Sequence, residues 1–138
     1  MNEELGGPDM KGNELSDRFL EFAARVIRLV MALPKNPVAR HIGGQLLRSG
    51  TAIGANYEEA RGGESRADFN HKLGIAWKEA RESWYWLRLL QKTQLIKPDL
   101  IDKILQESNE IAAILGKSLA TAKRKKAGQQ PGDPSTTS

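Results

Sequence analysis

The fold is decided by the stretch QLLRSGTAIGANYEE, residues 45–59, which lies inside the second of four predicted helices. Along this helix, mostly apolar residues recur at alternating steps of four and three residues, which is the spacing of one face of an α-helix. Two polar residues, Ser49 and Asn56, fall on this face. Because burying an unpaired polar group costs roughly 1–3 kcal/mol, both need hydrogen-bond partners inside the protein. The face consists of Ile42, Leu46, Ser49, Ile53, Asn56 and Ala60.

Glycines are unusually frequent in the same helix: Gly43, Gly44, Gly50 and Gly54. Each costs about 1 kcal/mol of helix propensity relative to alanine. We therefore expect a neighbouring backbone or side chain to approach closely at these positions.

Three other stretches repeat the four-and-three pattern, so the sequence predicts an all-α fold. Helix one should run from about Leu15 to Leu33, where Pro34 stops it, with Asn13 as a plausible cap. Asn36 and Pro37 open helix two, and Gly62-Gly63 ends it near Arg61. Ser65 caps helix three, and helix four begins at Lys97-Pro98. Short connections between amphipathic helices predict an antiparallel up-down-up-down four-helix bundle over residues 15–126, between a disordered lead (1–14) and a disordered tail (127–138).

The composition argues against a protein stabilised by disulfides or dependent on cysteine chemistry, and against one that spans a membrane. The chain has 138 residues, enough for one domain, and no cysteine, so it has no disulfide, thiolate metal site or cysteine nucleophile. We expect a cytoplasmic protein, because the amino terminus lacks the order of a signal peptide and no apolar run approaches the ~20 residues of a membrane span. The net charge of +4 is compatible with a polyanionic partner.

No enzyme motif is complete in the sequence. Asp68 and His71 form one half of the paired motif that bundle di-metal sites require, and Gly50 to Gly54 lacks the lysine of a phosphate-binding loop. We therefore predict no catalytic residues, no cofactor and no metal.

Antiparallel pairing of helices two and three about Gly63 brings Arg48 level with Glu79, and Glu82 lies one turn further on. A charge-assisted hydrogen bond between Arg48 and Glu79 is expected. We predict an internal polar network that fixes the register of the helices. Its members are Arg48, Ser49, Asn56, Glu59, Glu79 and Glu82.

Two sets of basic residues are candidates for binding nucleic acid. Lys123, Arg124, Lys125 and Lys126 form an unbroken run that could follow phosphates, or could only solubilise a helix end. On helix one, Arg18, Arg25 and Arg28 flank the apolar face; they form either an anion-binding ridge or a solvated flank.

Helix three carries more apolar surface than one face can bury. Ile75, Trp86 and Leu89 lie on one flank, and Trp77 and Trp84 widen the other. Because large apolar patches are unusual on monomers, we predict that Ile75, Trp86 and Leu89 form an interface between copies of the chain. The alternative is that the aromatic residues only close the bundle ends.

These residues also resemble a known family. The string from Gln45 to Ala60 is followed by a second set of matching positions, and together they are similar to the bacterial 23S rRNA intervening-sequence proteins, a four-helix bundle family also called S23-type ribosomal proteins. The resemblance covers about residues 15–122. The second set is Phe69, Leu73 to Ala76, Lys78, Glu79, Glu82, Ser83, Trp86 and Leu87.

The resemblance implies a ring-shaped homopentamer. Some family members are encoded inside insertions in ribosomal RNA genes. The chain is also similar, at residues 84–90 and 114–118, to the accessory variability determinants of diversity-generating retroelements, basic bundles that bind nucleic acid and a reverse transcriptase. We therefore expect a non-enzymatic homo-oligomer that binds nucleic acid, with structured RNA favoured. The alternative is a protein-interaction scaffold or accessory subunit, for example for a reverse transcriptase.

Overall fold

The computed structural model describes residues 8–128, with side chains described for residues 11–125. It contains four α-helices: α1 (Pro8–Met31), α2 (Pro37–Arg61), α3 (Arg66–Thr93) and α4 (Pro98–Gly128). Consecutive helices pack side by side, and α1 also contacts α4, which closes the bundle. The predicted all-α, antiparallel up-down bundle is confirmed. None of the helices in residues 8–128 is long and apolar enough to span a membrane.

Local sequence signals set the helix ends. Asn36 is the N-cap of α2, and its side chain accepts a hydrogen bond from the backbone of Ala39 at 2.9 Å. Ser65 caps α3 in the same way, with Asp68 as donor at 3.0 Å. Between them, Gly63 permits the tight turn, because a Cβ there would lie 3.1 Å from the carbonyl oxygen of Ala60. Gln94 ends α3 in the left-handed region, at φ 56°.

The ends of the bundle differ from the sequence prediction. Helix α1 begins at Pro8, so residues 8–14 belong to the helix and not to the lead predicted over residues 1–14. Proline suits a first helical position, and Arg61 ties this extension to α2 by donating to the carbonyl of Gly12 at 3.2 Å and to Asn13 Oδ1 at 2.8 Å. Asn13 therefore lies inside α1 and does not cap it. Helix α4 runs to Gly128, and the rest of the predicted lead and tail (residues 1–7 and 129–138) lies outside the described residues.

The core is built from the four predicted faces. Almost every apolar residue of those faces is buried, including the large side chains of Phe19 and Phe22 on α1. Tyr57, outside the predicted face, packs edge-on against Phe19 with ring centroids 5.0 Å apart. Burial raises the pKa of the Tyr57 hydroxyl. The core residues with no exposed surface are Phe19, Val26, Leu46, Ile53, Ala76, Ala80, Leu87, Leu90, Ile101, Ile111 and Leu115.

The glycines of α2 are explained by α1. A Cβ at Gly50 would lie 2.9 Å from a methyl of Val26, and one at Gly43 would lie 3.0 Å from Leu33. At Gly54 the nearest atom, on Phe19, is at an ordinary 3.4 Å. Gly44 has no neighbour within 4 Å. Close approach therefore accounts for Gly43 and Gly50 but not for Gly44.

Candidate nucleic-acid interface

Arg48 joins α2 to α3 through two carboxylates. Its Nη1 donates to Glu79 Oε1 at 3.1 Å, and its Nη2 donates to Glu82. The indole nitrogen of Trp86 donates to the same Glu82 oxygen at 3.0 Å. The hydrogen bonds from Arg48 and then Trp86 lower the pKa of Glu82. Because 49% of the Arg48 side chain is exposed, this cluster lies on the surface and not in the interior predicted for it.

The buried polar contact between these helices is a pair of serines. The hydroxyl oxygens of Ser49 and Ser83 are 2.9 Å apart, and both residues are fully buried. Ser83 Oγ is also 2.9 Å from the carbonyl oxygen of Glu79. The partner of Ser49 on the neighbouring helix is thus Ser83, which the predicted network omitted.

The other two members of the predicted network make separate contacts. The half-buried Asn56 donates through Nδ2 to the carbonyl of Ala52, one turn earlier on its own helix, at 2.9 Å. Glu59 is exposed and pairs with Lys72 of α3 at 2.6 Å. The six residues therefore form a surface ion-pair cluster, a serine pair and two local contacts, and not one network.

Among the predicted basic residues of α1, Arg18 is already occupied. Its Nε and Nη2 donate to the two carboxylate oxygens of Glu107 at 2.8 and 2.9 Å, and Nη2 also donates to Glu110. The hydrogen bond to Glu107 is the main cause of a raised pKa for Arg18. Arg28 is exposed and lies 3.2 Å from Glu21. Arg25 lines a shallow cleft beside Arg28. Arg18 therefore joins α1 to α4, which is contrary to its predicted role in an anion-binding ridge.

The carboxyl-terminal end of α4 is basic and exposed. Lys123, Arg124 and Lys125 are all exposed, and none has a carboxylate within salt-bridge distance among the described side chains. Arg124 donates to the hydroxyl of Thr121 on its own helix at 3.3 Å. The side chain of Lys126, the fourth predicted residue, lies outside the described residues. This helix end is available for a phosphate ligand.

A row of alternating tryptophan and arginine runs along α3, on the side that faces α4. The guanidinium of Arg81 lies 5.5 Å from the ring centroid of Trp77, and that of Arg88 lies 4.7 Å from that of Trp84. The four residues follow one another at steps of four, three and four, so they lie on one face of the helix. Both tryptophans were predicted only as apolar surface, and their arginine partners were not predicted. The repeated spacing of Trp and Arg four residues apart was the available signal.

The apolar residues of the predicted interface are half-buried. Trp86 packs edge-on against Tyr85 and His41, with ring centroids 5.1 and 6.3 Å apart, and Ile75 and Leu89 also keep part of their surface exposed. Apolar side chains with a greater exposed fraction lie on α1: Leu20 is 70% exposed and Met31 73%.

These exposed side chains form a second apolar stripe on α1, opposite its core face. Leu20, Ala24, Ile27 and Met31 recur at steps of four, three and four. Leu47 of α2, one turn from both Gly43 and Gly50, is also exposed. The α1 stripe was not identified from the sequence.

The half-motif Asp68 and His71 lies in an open cleft at the α2–α3 turn, together with Glu59 and Glu64. In the described part of the chain, no group of three or more potential ligands is placed to hold a metal ion.

Comparison with known proteins identifies the family. The model of the 23S rRNA-intervening sequence protein family matches residues 12–117. A solved structure of a protein of unknown function from the S23 ribosomal protein family of Bacteroides thetaiotaomicron is 43% identical, covers 80% of this chain and 98% of its own, and superposes with a TM-score of 0.73. No curated protein matches the chain. The bundle, the match over most of its length and the 43% identity agree with the resemblance of the Gln45–Ala60 stretch, and the chain belongs to the 23S rRNA intervening-sequence protein family.

Proposed function

We propose that this protein is a non-enzymatic, homo-oligomeric bundle that binds nucleic acid, with structured RNA as the favoured ligand. The observation that carries the proposal is that acidic side chains of α3 and α4 are paired, whereas many of their basic side chains are not. In the middle of these helices, the glutamates pair with arginines of α2 and α1. Exposed basic side chains on the outer surface of α3 and α4 are left without carboxylate partners.

The positions of the acidic residues support this assignment. Between Phe69 and Thr93, α3 carries two acidic residues, Glu79 and Glu82, and both bind Arg48 of α2. Between Lys103 and Lys125, α4 also carries two, Glu107 and Glu110, and both bind Arg18 of α1. The same two segments contain ten lysines and arginines, of which Lys72 pairs with Glu59 of α2. A surface with unpaired positive charge attracts phosphates, and the attraction weakens as salt rises.

The test is equilibrium binding of the full-length protein to structured RNA, duplex DNA and single strands across a salt series. We expect salt-sensitive binding. In the triple variant Lys123→Ala/Arg124→Ala/Lys125→Ala, the slope of log affinity against log salt should flatten by about 2 to 3 if all three residues contact phosphates of a duplex.

A matched control removes three exposed bases from the opposite end of the bundle, Lys35→Ala/Arg40→Ala/Lys97→Ala. Its slope should stay close to that of the wild type. Absence of binding to any nucleic acid at low salt contradicts the proposal. Equal effects of the two triple variants would indicate a general charge effect without a defined site.

Oligomer formation is part of the proposal, and a homopentameric ring is the expected form. Several copies of one basic patch bind a long polyanion with an avidity that a single copy lacks. If Trp86 lies in the subunit interface with Ile75 and Leu89, Trp86→Asp should produce smaller particles in sedimentation. Ile27→Asp on the α1 stripe is the comparison. Dissociation by this variant alone would place the interface on α1 and contradict the assignment to Trp86.

A protein-interaction scaffold is the second candidate, and the α1 stripe favours it. Leu20, Ile27 and Met31 present apolar surface to solvent on the side of α1 opposite the core. Such surface is typical of protein contacts. An accessory subunit, for example of a reverse transcriptase, would use it. If Ile27→Asp leaves the oligomer intact but abolishes co-purification of a stoichiometric cellular partner with the wild-type protein, this candidate is favoured.

A further inference from the structure

We propose that the row of Trp77, Arg81, Trp84 and Arg88 on α3 is a stacking platform for unpaired nucleotides. The inference rests on the proposed nucleic-acid function and specifies the kind of nucleic acid: loops, bulges or single strands, as opposed to continuous duplex. It is independent of the basic end of α4, which contacts phosphates in either form of nucleic acid.

The first observation is the state of the two arginines. Both Arg81 and Arg88 are exposed, and among the described side chains neither has a carboxylate within salt-bridge distance. Four other arginines, Arg18, Arg28, Arg48 and Arg61, have one. The platform arginines are held by the faces of Trp77 and Trp84 instead, so their hydrogen-bond donors are not used by acidic residues of the bundle.

The second observation is that Trp77 is held in place by α4. Trp77 is half-buried and packs against α4 at Gly116, where an added Cβ would lie 3.0 Å from the indole nitrogen. Trp84 is half-buried one heptad further along α3. A ring that is held on one side and covered by a guanidinium on another keeps that guanidinium in a defined plane. The outer face of the guanidinium is then open to a further planar group.

The third observation is that small residues lie on α4 beside the Trp77 end of the platform. Gly116 packs against Trp77, and because the two helices are antiparallel, the exposed Ala113 lies about level with Arg81. Neither position carries a bulky side chain that would cover this end of the row. From Trp77 to Arg88 the platform is about 16 Å long, at a rise of 1.5 Å per residue. The Trp77 end of the platform points towards the basic end of α4, because Gly116 lies level with Trp77 and Lys123 lies two turns beyond Gly116 on α4.

These features suit unpaired bases better than duplex. Bases in loops and single strands stack on aromatic rings or on arginine planes, and this stacking is tolerant of sequence. In a duplex the flat faces of the bases are covered by their neighbours, so only phosphates and groove edges are accessible. Two arginine planes separated by seven residues offer two such stacking positions, each with guanidinium donors beside it for phosphate oxygens.

The test separates stacking from charge. In Arg81→Lys/Arg88→Lys, both positive charges remain, but the planar guanidinium is lost. Binding is measured for three RNA probes: a hairpin with a long unpaired loop, a blunt duplex of the same stem, and the loop sequence as a free single strand. We expect the affinity for the looped hairpin and the single strand to fall about tenfold or more. The affinity for the blunt duplex and the salt slope should change little.

The control variant is Arg40→Lys/Arg66→Lys, which makes the same replacement at two exposed arginines that stack on no tryptophan among the described residues. It should leave all three affinities unchanged. Equal losses for duplex and unpaired probes, or no loss for either, would overturn the stacking platform while leaving the nucleic-acid function intact. Failure of the wild-type protein to bind any probe at low salt would overturn both.

Discussion

Replacement of Gly50 by alanine should destabilise the protein, although alanine is the better helix former. Gly50 is buried at the contact of α2 with α1, and an added Cβ would lie 2.9 and 3.0 Å from the two γ-methyls of Val26. Val26 is fully buried, and as a β-branched residue in a helix it has one strongly preferred rotamer. The new methyl therefore cannot be accommodated by rotation of the neighbouring side chain alone.

Two opposing terms set the expected magnitude. Alanine in place of glycine inside a helix stabilises by about 1 kcal/mol. An extra methyl in a packed core costs about 1–3 kcal/mol. The expected net loss at Gly50 is about 1 kcal/mol. Gly44 lies on the same helix, is exposed and has no neighbour within 4 Å, so Gly44→Ala should gain about 0.5–1 kcal/mol. The two variants should differ by about 2 kcal/mol.

Urea unfolding followed by far-ultraviolet circular dichroism measures this difference. With slopes of about 1–3 kcal/mol per molar urea, the two midpoints should be separated by about 1 M. Protomer concentration is held constant, because assembly would contribute to stability. In the double variant Gly50→Ala/Val26→Ala, the loss should be smaller than the sum of the two single losses. The explanation by close packing is refuted if Gly50→Ala stabilises as much as Gly44→Ala.

Three further outcomes follow from the polar contacts. Ser83→Ala should cost about 1 kcal/mol in urea unfolding, because it removes the hydrogen bond to the buried hydroxyl of Ser49, which keeps only a 3.4 Å contact with the carbonyl oxygen of Leu46. Ser49→Ala/Ser83→Ala should cost less than the sum of the two single changes, and additive losses would contradict the pairing. Glu79→Ala should cost less than about 1 kcal/mol, because its partner Arg48 is half exposed, and a loss of about 3 kcal/mol or more would show a buried ion pair instead. The pKa of Glu82 in the folded protein lies below its usual 4.5. Its ionised carboxylate therefore contributes fully to the free energy of unfolding above that pH, and this contribution is lost as the pH falls through the folded-state pKa. The stability difference between wild type and Glu82→Gln should shrink on acidification, and a difference that persists at low pH would contradict the assignment.

The sequence predicted the bundle because several local signals agree. The same helices are indicated by the apolar faces, by the caps at Asn36 and Ser65 and by the short turns. A sequence specifies one fold when such independent signals agree. The start of α1 was missed because its first turns depend on Arg61, which lies far away in the sequence and reaches Gly12 only in the folded bundle. Periodicity within one segment contains no information about such a contact.

The polar residues were harder to place, since helical periodicity gives the face of a residue but not the reach of its side chain. Pairing by level along two antiparallel helices placed Arg48 beside Glu79 correctly. The same reasoning did not show that a long arginine at the edge of the interface would lie in solvent. Nor did it show that the short side chain of Ser49 would be satisfied by another short one directly opposite, Ser83.

The distribution of charge explains why a modest total of +4 can still leave one face of the bundle basic. Acidic residues at the edges of α3 and α4 are paired with Arg48 and Arg18, which belong to the neighbouring helices. Each arginine joins two helices and offsets one of the two negative charges at that edge of the bundle. The uncompensated bases then lie on the outer surface of α3 and α4, where Arg81 and Arg88 rest on tryptophan rings and not on carboxylates. A cation held by a ring keeps its full charge, so the contacts that order this face also leave it attractive to phosphate.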